Sequence, residues 1–440
     1  MWNYTPGALK EGISTPAPQL DPYYPLNGYV WQPSDDKDGS TEAVFISPTY
    51  DTLEANLPKE MMRFSDLEFP PDVQVLPKHW MVKQYLEAYG EDVRDLIQFE
   101  TQANNLRPSS SGGSGWTLTT KNLRSEVSQT GSYDAVVVAS GHYDVVYIPD
   151  ILGIQEWNRA YPKVISHSKF YDTPSPFQGK RVLVVGGSAS AIDLGAQVNQ
   201  VSKGDVLRSQ RSDAHFLDNA TADKTLFPEI VEFLPPANHN RAVRFADGRI
   251  ESDIDAIIFC TGYLYSFPFL SSLDPPIVTD GRRTTNAYQH LFYTYNPTLV
   301  FPVMTQRIIP FPFAESQAAV FARVWSGRLT LPSQIEMKTW EDQLVAKRGN
   351  GPLFHFLLFP EDADAMDFLH DWAAGAQKRS GLINDGIGKL PRRWGEKERW
   401  LRANVLGIRK EFIEKGESRS AIKSIAELGF DFEKWKQSQG

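Results

Sequence analysis

The 440-residue sequence contains a single cysteine, Cys260. One thiol excludes an intramolecular disulfide, a paired-cysteine redox centre and a cysteine zinc site, and no metal site is predicted. No apolar run approaches the roughly 18 residues that a membrane-spanning helix needs. The first residues, MWNYTPGALKEG, have neither the basic stretch nor the apolar core of a signal peptide. We therefore expect a soluble, cytoplasmic protein without a membrane partner.

The sequence also has fewer basic than acidic residues. Lys and Arg total 45 against 54 Asp and Glu, which gives a net charge of −9 at neutral pH. This excess of negative charge disfavours general binding to nucleic acid. Hydrophobic residues make up 41% of the chain, a usual fraction for a folded protein. At about 150 residues per domain, the length predicts two or three domains, and the oligomeric state stays open.

The clearest unit lies between residues 176 and 265. Val182–Val185 is a short apolar run typical of a buried parallel strand, and the glycine-rich segment that follows opens a predicted helix. This segment is similar to the pattern G-x-G-x-x-G/A, with Ser188 in place of the middle glycine. Such a turn lets the backbone approach a pyrophosphate and directs helix N–H groups towards it. We predict a dinucleotide site, in preference to a turn without a ligand, at Gly186, Gly187, Ser188, Ala189 and Ser190.

The charge at the end of the next strand distinguishes the two nicotinamide cofactors. An NAD site usually has an Asp or Glu about 20 residues after the first glycine. Here Arg208 and Arg211 stand at that distance, with Ser212 beside them and no carboxylate between residues 207 and 212. A guanidinium can hold a 2′-phosphate through paired N–H donors. NADP(H) is therefore predicted, with solvated loop arginines as the alternative.

The order of the predicted elements indicates an α/β fold. The runs AVVVASGHY at 135–143 and AIIFCTGYL at 256–264 look alike, and each reads as a buried strand followed by a glycine turn. Together they predict two interleaved, dinucleotide-binding domains of the Rossmann-like type. The NADP-binding domain is predicted at 146–279. The other domain is predicted at 1–145 and 280–440, and it includes a helical C-terminal region.

Helical periodicity is the main signal elsewhere in the chain. A helix is predicted over His79–Tyr89, and its expected inward side chains are Trp80, Val82, Tyr85 and Leu86. From Pro332 onward the pattern is mostly helical. No motif in these late helices indicates a substrate.

Several further segments carry a family resemblance. Residues 56–66, NLPKEMMRFSD, are similar to the motif N-x-P-K-E-x-M-x-F-x-D, and the turns at 140–143 and 260–263 are similar to a pair of A-T-G turns. Residues 161–171 are similar to F-x-G-x-x-x-H-x-x-x-[YF], except that Tyr161 replaces the Phe and Lys163 replaces the Gly of the motif. On these motifs the chain resembles the flavin-containing monooxygenases, particularly their compact microbial and fungal members. The likeness extends to about Pro332.

The resemblance implies an enzyme that uses FAD and NADPH. In that family, a C4a-hydroperoxyflavin formed from dioxygen passes one oxygen atom to a soft nitrogen or sulfur nucleophile of a small molecule. The resemblance implies that Asn56 is catalytic and hydrogen-bonds the peroxide, and that Trp2 and Gln317 contact FAD. By residue type alone, Asn56 is a turn or helix cap and Gln317 an exposed helical residue. His167 is expected to be structural or to link domains.

The family's N-terminal βαβ unit, which carries G-x-G-x-x-G for the FAD pyrophosphate, has no counterpart here. The chain starts at Met1-Trp2-Asn3-Tyr4, directly after the place where that unit would end. Without it, the strand at 135–138 should be an exposed sheet edge. The sequence fits an incomplete version of a normal monooxygenase, which we favour because the other motifs keep their order. It also fits a short, non-catalytic NADP-binding descendant that binds FAD weakly or not at all.

Two other flavin-dependent activities, disulfide reduction and ketone oxidation, are related to this one. A flavin disulfide reductase shares the paired-nucleotide architecture but needs two neighbouring cysteines, so the single Cys260 excludes it. Ketone oxidation of the Baeyer–Villiger type uses the same cofactors and stays open. The identity of the substrate and the pathway cannot be predicted from these residues.

Overall fold

The structure, a computed structural model, describes residues 2–25, 28–33, 40–109, 115–211 and 225–439. The chain divides into two units, each with its own core. The first unit comprises Met1–Leu53 and His142–Ser266, and the second comprises Glu54–Gly141 and Phe267–Gly440. The predicted NADP-binding domain at 146–279 falls largely in the first unit. Residues 1–53 group with that unit, whereas the sequence assigned them to the other domain. Which cofactor each unit holds stays a prediction.

The described residues contain short strands and mostly short helices. The strands are β1 Tyr29–Pro33, β2 Thr41–Phe45, β3 Thr101–Pro108, β4 Trp116–Asn122, β5 Ser128–Tyr133, β6 Val136–Val137, β7 Val145–Val146, β8 Ile165–His167, β9 Val182–Val185, β10 Leu207–Ser209, β11 Leu226–Phe227, β12 Ile230–Phe233, β13 Val243–Phe245, β14 Ile250–Glu251, β15 Ala256–Phe259, β16 Tyr263–Leu264, β17 Ala287–Tyr288, β18 Phe292–Tyr293 and β19 Leu299–Val300. The α-helices are α1 Gly7–Lys10, α2 Lys59–Met62, α3 His79–Tyr89, α4 Ile154–Ala160, α5 Ala189–Asn199, α6 Pro310–Trp325, α7 Gln334–Arg348, α8 Glu361–Ala374, α9 Glu396–Ala403, α10 Val405–Glu414 and α11 Phe432–Ser438. None of these helices combines the length and the apolar character that a bilayer crossing requires.

A five-stranded parallel sheet forms the centre of the first unit, in the order β11-β10-β9-β15-β8. Every residue of β9 and β15 is buried, as expected for parallel strands covered on both faces. The strands predicted from Val182–Val185 and within Ile254–Tyr263 are therefore confirmed. Cys260 follows β15 and is 5% exposed, and burial raises the pKa of its thiol to about 12.

One face of this sheet is covered by a second, antiparallel sheet with the order β12-β13-β14 and by α4. Trp157 of α4 is fully buried, and its ring packs edge-on against Phe233 at 5.3 Å between centroids. α5 packs on a second cluster that includes Val184 and Ile258. The alternating layers agree with the α/β class predicted from the sequence.

The second unit contains a four-stranded sheet in the order β17-β18-β19-β6, a three-stranded antiparallel sheet β3-β4-β5, and the C-terminal helices. Its core gathers side chains from α6, α8, α9 and α10, including Val320, Leu369, Leu401 and Phe412. The late helices predicted after Pro332 are present as α7 to α11.

The strand predicted at 135–138 is only partly buried. β6 runs parallel to β19, with Val136 opposite Leu299 and Val137 opposite Val300. Among the described residues β19 is its only sheet partner, and Val137 is 40% exposed. The prediction of a buried strand is therefore wrong at Val137, because one edge of β6 lacks a neighbouring strand. The expectation of an exposed sheet edge describes this position correctly.

The helix predicted over His79–Tyr89 is α3, with the same bounds. Val82 and Tyr85 are buried as predicted, but Trp80 is 46% exposed. Trp80 is displaced by about 200° around the helix from Val82, since successive residues turn by about 100°. The Tyr85 hydroxyl donates to the Leu67 carbonyl at 2.8 Å, which fixes the buried face of the helix.

Candidate functional site

The glycine turn after β9 is shaped by contact with the neighbouring strand. Gly186 has φ +141°, and its N–H donates to the Ser209 carbonyl at 2.8 Å. A Cβ atom at this position would lie 2.6 Å from the backbone oxygen of Cys260. Glycine is therefore required here by the sheet itself, before any ligand is considered.

The amino end of α5 is available to an anion. Ser188 is the N-cap residue, yet its side chain makes no capping hydrogen bond. The first N–H groups of a helix have no partner within the helix, and they carry partial positive charge. Gly186, Gly187, Ser188 and Ala189 are half-buried and Ser190 is exposed. This arrangement fits a dinucleotide pyrophosphate, with the Ser188 hydroxyl as an additional donor.

Of the two predicted arginines, Arg208 lies on β10, the strand next to β9, and Arg211 lies two residues after the end of β10. β10 runs parallel to β9, with Arg208 opposite Val184 and Ser209 opposite Val185. The carboxyl ends of both strands therefore meet at one edge of the sheet, the edge at which ligands of such folds bind. Arg208 is half-buried and Arg211 is exposed. This placement fits a 2′-phosphate, although the role of both residues stays a prediction, and Ser212 lies outside the described residues.

Trp2, predicted near FAD, is half-buried in the first unit. Asn56 belongs to the second unit and is exposed. It does not cap the helix that follows, because Pro58 occupies the N-cap position of α2. The interpretation of Asn56 as a helix cap is therefore wrong, and the catalytic role implied by the resemblance stays a prediction.

Gln317 is 1% exposed, so the interpretation as an exposed helical residue is wrong. Its Oε1 atom accepts a hydrogen bond from the backbone N–H of Val303 at 2.8 Å. Val303 has φ +61°, an unusual conformation for a β-branched residue. In the described part of the chain, the Gln317 Nε2 atom is buried and has no hydrogen-bond partner.

Two further side chains, one in the loop before α6 and one in α6 next to Gln317, also have a buried polar atom without a hydrogen-bond partner among the described residues. The hydroxyl groups of Thr305 and Ser316 are also buried, and no partner for either is found among the described residues. Buried polar atoms are usually satisfied, so three unsatisfied ones, in one loop and in the first half of the following α6, fit a ligand that supplies the partners. A cofactor rich in hydrogen-bonding atoms, such as FAD, fits this segment. Sequence reasoning identified Gln317 but missed Thr305, a polar residue within the apolar stretch FPVMTQRIIP at 301–310, and Ser316, which directly precedes Gln317.

His167 is held inside the first unit by both of its ring nitrogens. Its Nε2 atom lies 3.0 Å from the Gly262 carbonyl oxygen, and its Nδ1 atom accepts from the backbone N–H of Lys169 at 3.1 Å. The tautomer that satisfies both contacts carries its proton on Nε2. His167 therefore ties β8 to the turn after β15, which agrees with the structural role expected from the sequence.

Buried histidines should make stability dependent on pH. Burial lowers the pKa of His167, and separately of His290, to about 3. Above the usual histidine pKa of about 6.5, neither the folded nor the unfolded chain binds the proton. As the pH falls towards 3, only the unfolded chain takes it up, and the free energy of unfolding drops by about 1.4 kcal/mol per pH unit for each ring. We expect each ring to account for a loss of about 2 kcal/mol between pH 7 and pH 5.

Urea unfolding of His290→Gln at both pH values measures this loss. The difference between wild type and variant should change by about 2 kcal/mol. His239→Gln, at an exposed position of the first unit, should show no such change. A pH-independent difference for His290→Gln would contradict the expectation.

The chain is similar to known flavin-binding monooxygenases. The model of the family described as FMO-like, flavin-binding monooxygenase-like, matches residues 28–231 and 232–348. The thiol-specific monooxygenase of Saccharomyces cerevisiae is 33% identical over 330 residues, which is 71% of this chain and 72% of that protein. The flavin-containing monooxygenase iboF of Amanita muscaria is 28% identical over 394 residues, 76% of this chain and 72% of that protein.

A solved structure supports the same relationship. The structure of S-allyl-L-cysteine S-oxygenase from Allium sativum superposes with a TM-score of 0.71 at 26% sequence identity. The likeness covers 93% of this chain and 89% of that protein. Tmm from a Pelagibacter strain, at 20% identity and a TM-score of 0.65, shares the fold.

Proposed function

Because the chain belongs to the flavin-binding monooxygenase-like family, we propose that it transfers one oxygen atom from dioxygen to a sulfur or nitrogen nucleophile of a small molecule. The family match from 28 to 348 carries the reaction class. Two relatives support sulfur as the acceptor, since one is named a thiol-specific monooxygenase and the other an S-oxygenase. A soft nucleophilic atom is the chemical feature that such substrates share.

A flavin, when bound, supplies the centre at which dioxygen is activated, because amino-acid side chains lack this redox chemistry. In the second unit, Gln317 Nε2 and the hydroxyls of Thr305 and Ser316 are the proposed partners of FAD. Each is a buried polar atom that lacks a protein partner in the described residues. Trp2 is a further proposed contact, on the strength of the family resemblance.

NADPH is the proposed electron donor. The amide groups at the start of α5, from the turn Gly186 to Ser190, would hold its pyrophosphate, and Ser188 could donate its hydroxyl. Arg208, Arg211 and Ser212 would hold its 2′-phosphate. The absence of a carboxylate between 207 and 212 supports NADPH over NADH, because a carboxylate would repel that phosphate.

Asn56 is the proposed catalytic residue. Its carboxamide can donate a hydrogen bond to an oxygen atom, yet it does not give up the proton at neutral pH. An exposed amide before α2 can therefore hold a reacting oxygen without protonating it. This is the property needed to keep activated oxygen from being lost before the substrate arrives.

The proposal is tested by loading the chain with excess FAD, desalting it and recording its visible spectrum. The loaded protein is then given NADPH with methyl p-tolyl sulfide, N,N-dimethylbenzylamine or cyclohexanone. We expect stoichiometric flavin and formation of the sulfoxide or the N-oxide. A chain that binds no flavin, or one that oxidises only the ketone, would contradict the proposal.

Replacing Asn56 with alanine should uncouple the reaction. We expect product formed per NADPH to fall about tenfold or more, since loss of one well-placed donor often costs that much. The missing oxygen should appear as hydrogen peroxide. Asn104→Ala is the matched control, because Asn104 is also an exposed asparagine of the second unit. If Asn56→Ala keeps full coupling, Asn56 has no catalytic role.

A further inference from the structure

The second unit contains a cavity of about 500 Å³ that neither the cofactors nor Asn56 account for. Its lining residues come from Glu60 to Glu68, from Pro312, Glu315 and Met366, and from residues 391 to 433. Most of the enclosing residues therefore lie after residue 348, where the family match ends. Asn56 is not among its lining residues. The volume is within the usual range of about 300 to 1,000 Å³ for small-molecule sites.

Five aromatic residues contribute to the walls of this cavity, together with several charged residues. The aromatic residues are Phe64, Trp394, Trp400, Phe430 and Phe432. Trp400 and Phe432 pack edge-to-face with their ring centroids 5.6 Å apart, so that the aromatic wall is held in place by its own contacts. Such surfaces bind flat apolar groups, and their ring faces also attract organic cations.

Glu60 is half-buried and places a carboxylate next to these aromatic residues. Its carboxylate accepts hydrogen bonds from its own backbone N–H and from that of Ile425. Among the described residues, however, its Oε2 atom is buried without a partner. The charge of the neighbouring Lys59 favours the ionised form of Glu60. The Lys59 ammonium nevertheless makes its hydrogen bonds elsewhere, to the Val73 carbonyl at 2.5 Å and to the Pro71 carbonyl at 3.3 Å.

The other acidic groups that line the cavity are mostly engaged within the protein. Glu315 accepts from Ser65 and pairs with Lys389. Glu68 pairs with Arg63. Glu398 and Asp431 accept from backbone N–H groups at the starts of α9 and α11. Burial raises the pKa of Glu60, and the backbone N–H groups and the Lys59 charge only partly oppose this shift.

From this geometry we propose that the cavity binds a small organic cation, an amine attached to a flat apolar group, with Glu60 as its counter-ion. The apolar group would lie against the aromatic wall, and the ammonium would donate to Glu60 Oε2. Arg392 and Lys397 also line the cavity, but both are exposed and can turn to solvent. An anion would therefore meet a buried carboxylate, whereas a cation meets the group that lacks a partner.

The proposal does not depend on catalysis, so it is tested by binding alone. The probes are 4-fluorophenethylamine, the neutral 4-fluorophenethyl alcohol and the anionic 3-(4-fluorophenyl)propionate, each titrated with full-length protein and followed by ¹⁹F NMR. We expect the amine to bind at least about tenfold more tightly than the alcohol, which corresponds to one charge-assisted contact. Equal binding of amine and alcohol, or tighter binding of the propionate, would overturn the proposal.

Variants then locate the bound amine. Glu60→Gln should weaken amine binding at least about tenfold while leaving alcohol binding within about twofold. Glu433→Gln, the same charge change at an exposed lining residue, should alter amine binding less than about threefold. Ala426→Phe, which places a ring into the cavity, should weaken both probes. Amine binding that survives both Glu60→Gln and Ala426→Phe would show that it occurs elsewhere, for instance at the catalytic site.

Discussion

Replacing Arg208 and Arg211 together with alanine should weaken NADPH binding about 100-fold and leave NADH binding within about threefold. The two cofactors differ only in the 2′-phosphate. A guanidinium bound to a phosphate contributes more than a neutral hydrogen bond, and two of them account for the expected loss. Arg208 lies opposite Val184 in the sheet, two residues before the glycine turn, so the loss should be specific to that phosphate. Fluorescence titration with each cofactor measures both constants.

The control for this variant removes the same charge from the same unit. Arg159 and Lys203 are exposed residues of the first unit, and neither lies at the carboxyl end of β9 or β10. Their double alanine variant should change the affinity for NADPH less than about threefold. Equal losses of NADPH and NADH in the Arg208→Ala, Arg211→Ala variant would refute the assignment of a 2′-phosphate site.

Gly186→Ala should lower the free energy of unfolding by about 3 kcal/mol or more. Two costs combine at this residue. Its φ of +141° is a conformation that a residue with a side chain rarely adopts, and the new methyl group would lie 2.6 Å from the backbone oxygen of Cys260. The obstacle is backbone in the centre of a buried sheet, so it cannot move aside as a flexible side chain would. Chemical denaturation of the purified variants gives the change in stability.

Gly195→Ala is the matched control for this experiment. Gly195 lies inside α5, the helix that follows the same turn. A Cβ at Gly195 would have no neighbouring atom within 4 Å. Alanine is favoured over glycine inside helices by about 1 kcal/mol, so this variant should be slightly more stable than wild type. Opposite signs for the two variants are the expected result. A Gly186→Ala protein as stable as wild type would show that the turn does not have the geometry described.

The strand β9 and the helix α3 were predictable because each is determined by a short stretch of sequence. β9 and α3 have the predicted bounds because an apolar β-branched run and a helical period each act over a few residues. Trp80 was assigned to the wrong face, since one residue of error in helical phase is enough to expose a side chain. Val137 was expected to be buried because its sequence is that of a central strand, but its burial depends on a neighbouring strand.

Contacts between residues far apart in the sequence could not be predicted from these local patterns. The glycine turn and the arginines of the candidate site were predicted because they are about 20 residues apart in one βαβ unit. Glu60 and Trp400, in contrast, are far apart in the sequence and line the same cavity only because the C-terminal helices pack within the second unit. The unpartnered atoms of Thr305, Ser316 and Gln317 are likewise a property of packing, which no single-sequence pattern reports.

The burial of Cys260 affects how readily the enzyme is inactivated by oxidation during turnover. Sulfur is oxidised by peroxide chiefly as the thiolate and only where the oxidant can reach it. A thiol that is 5% exposed, with a pKa raised to about 12, meets neither condition at neutral pH. As the chain has no other cysteine, hydrogen peroxide released by a faulty turnover finds no readily oxidised thiol. Oxidation by peroxide should therefore begin elsewhere, for instance at the thioether sulfur of Met81, which is half-buried. Five other methionines are as well buried as Cys260, namely Met61, Met62, Met304, Met337 and Met366.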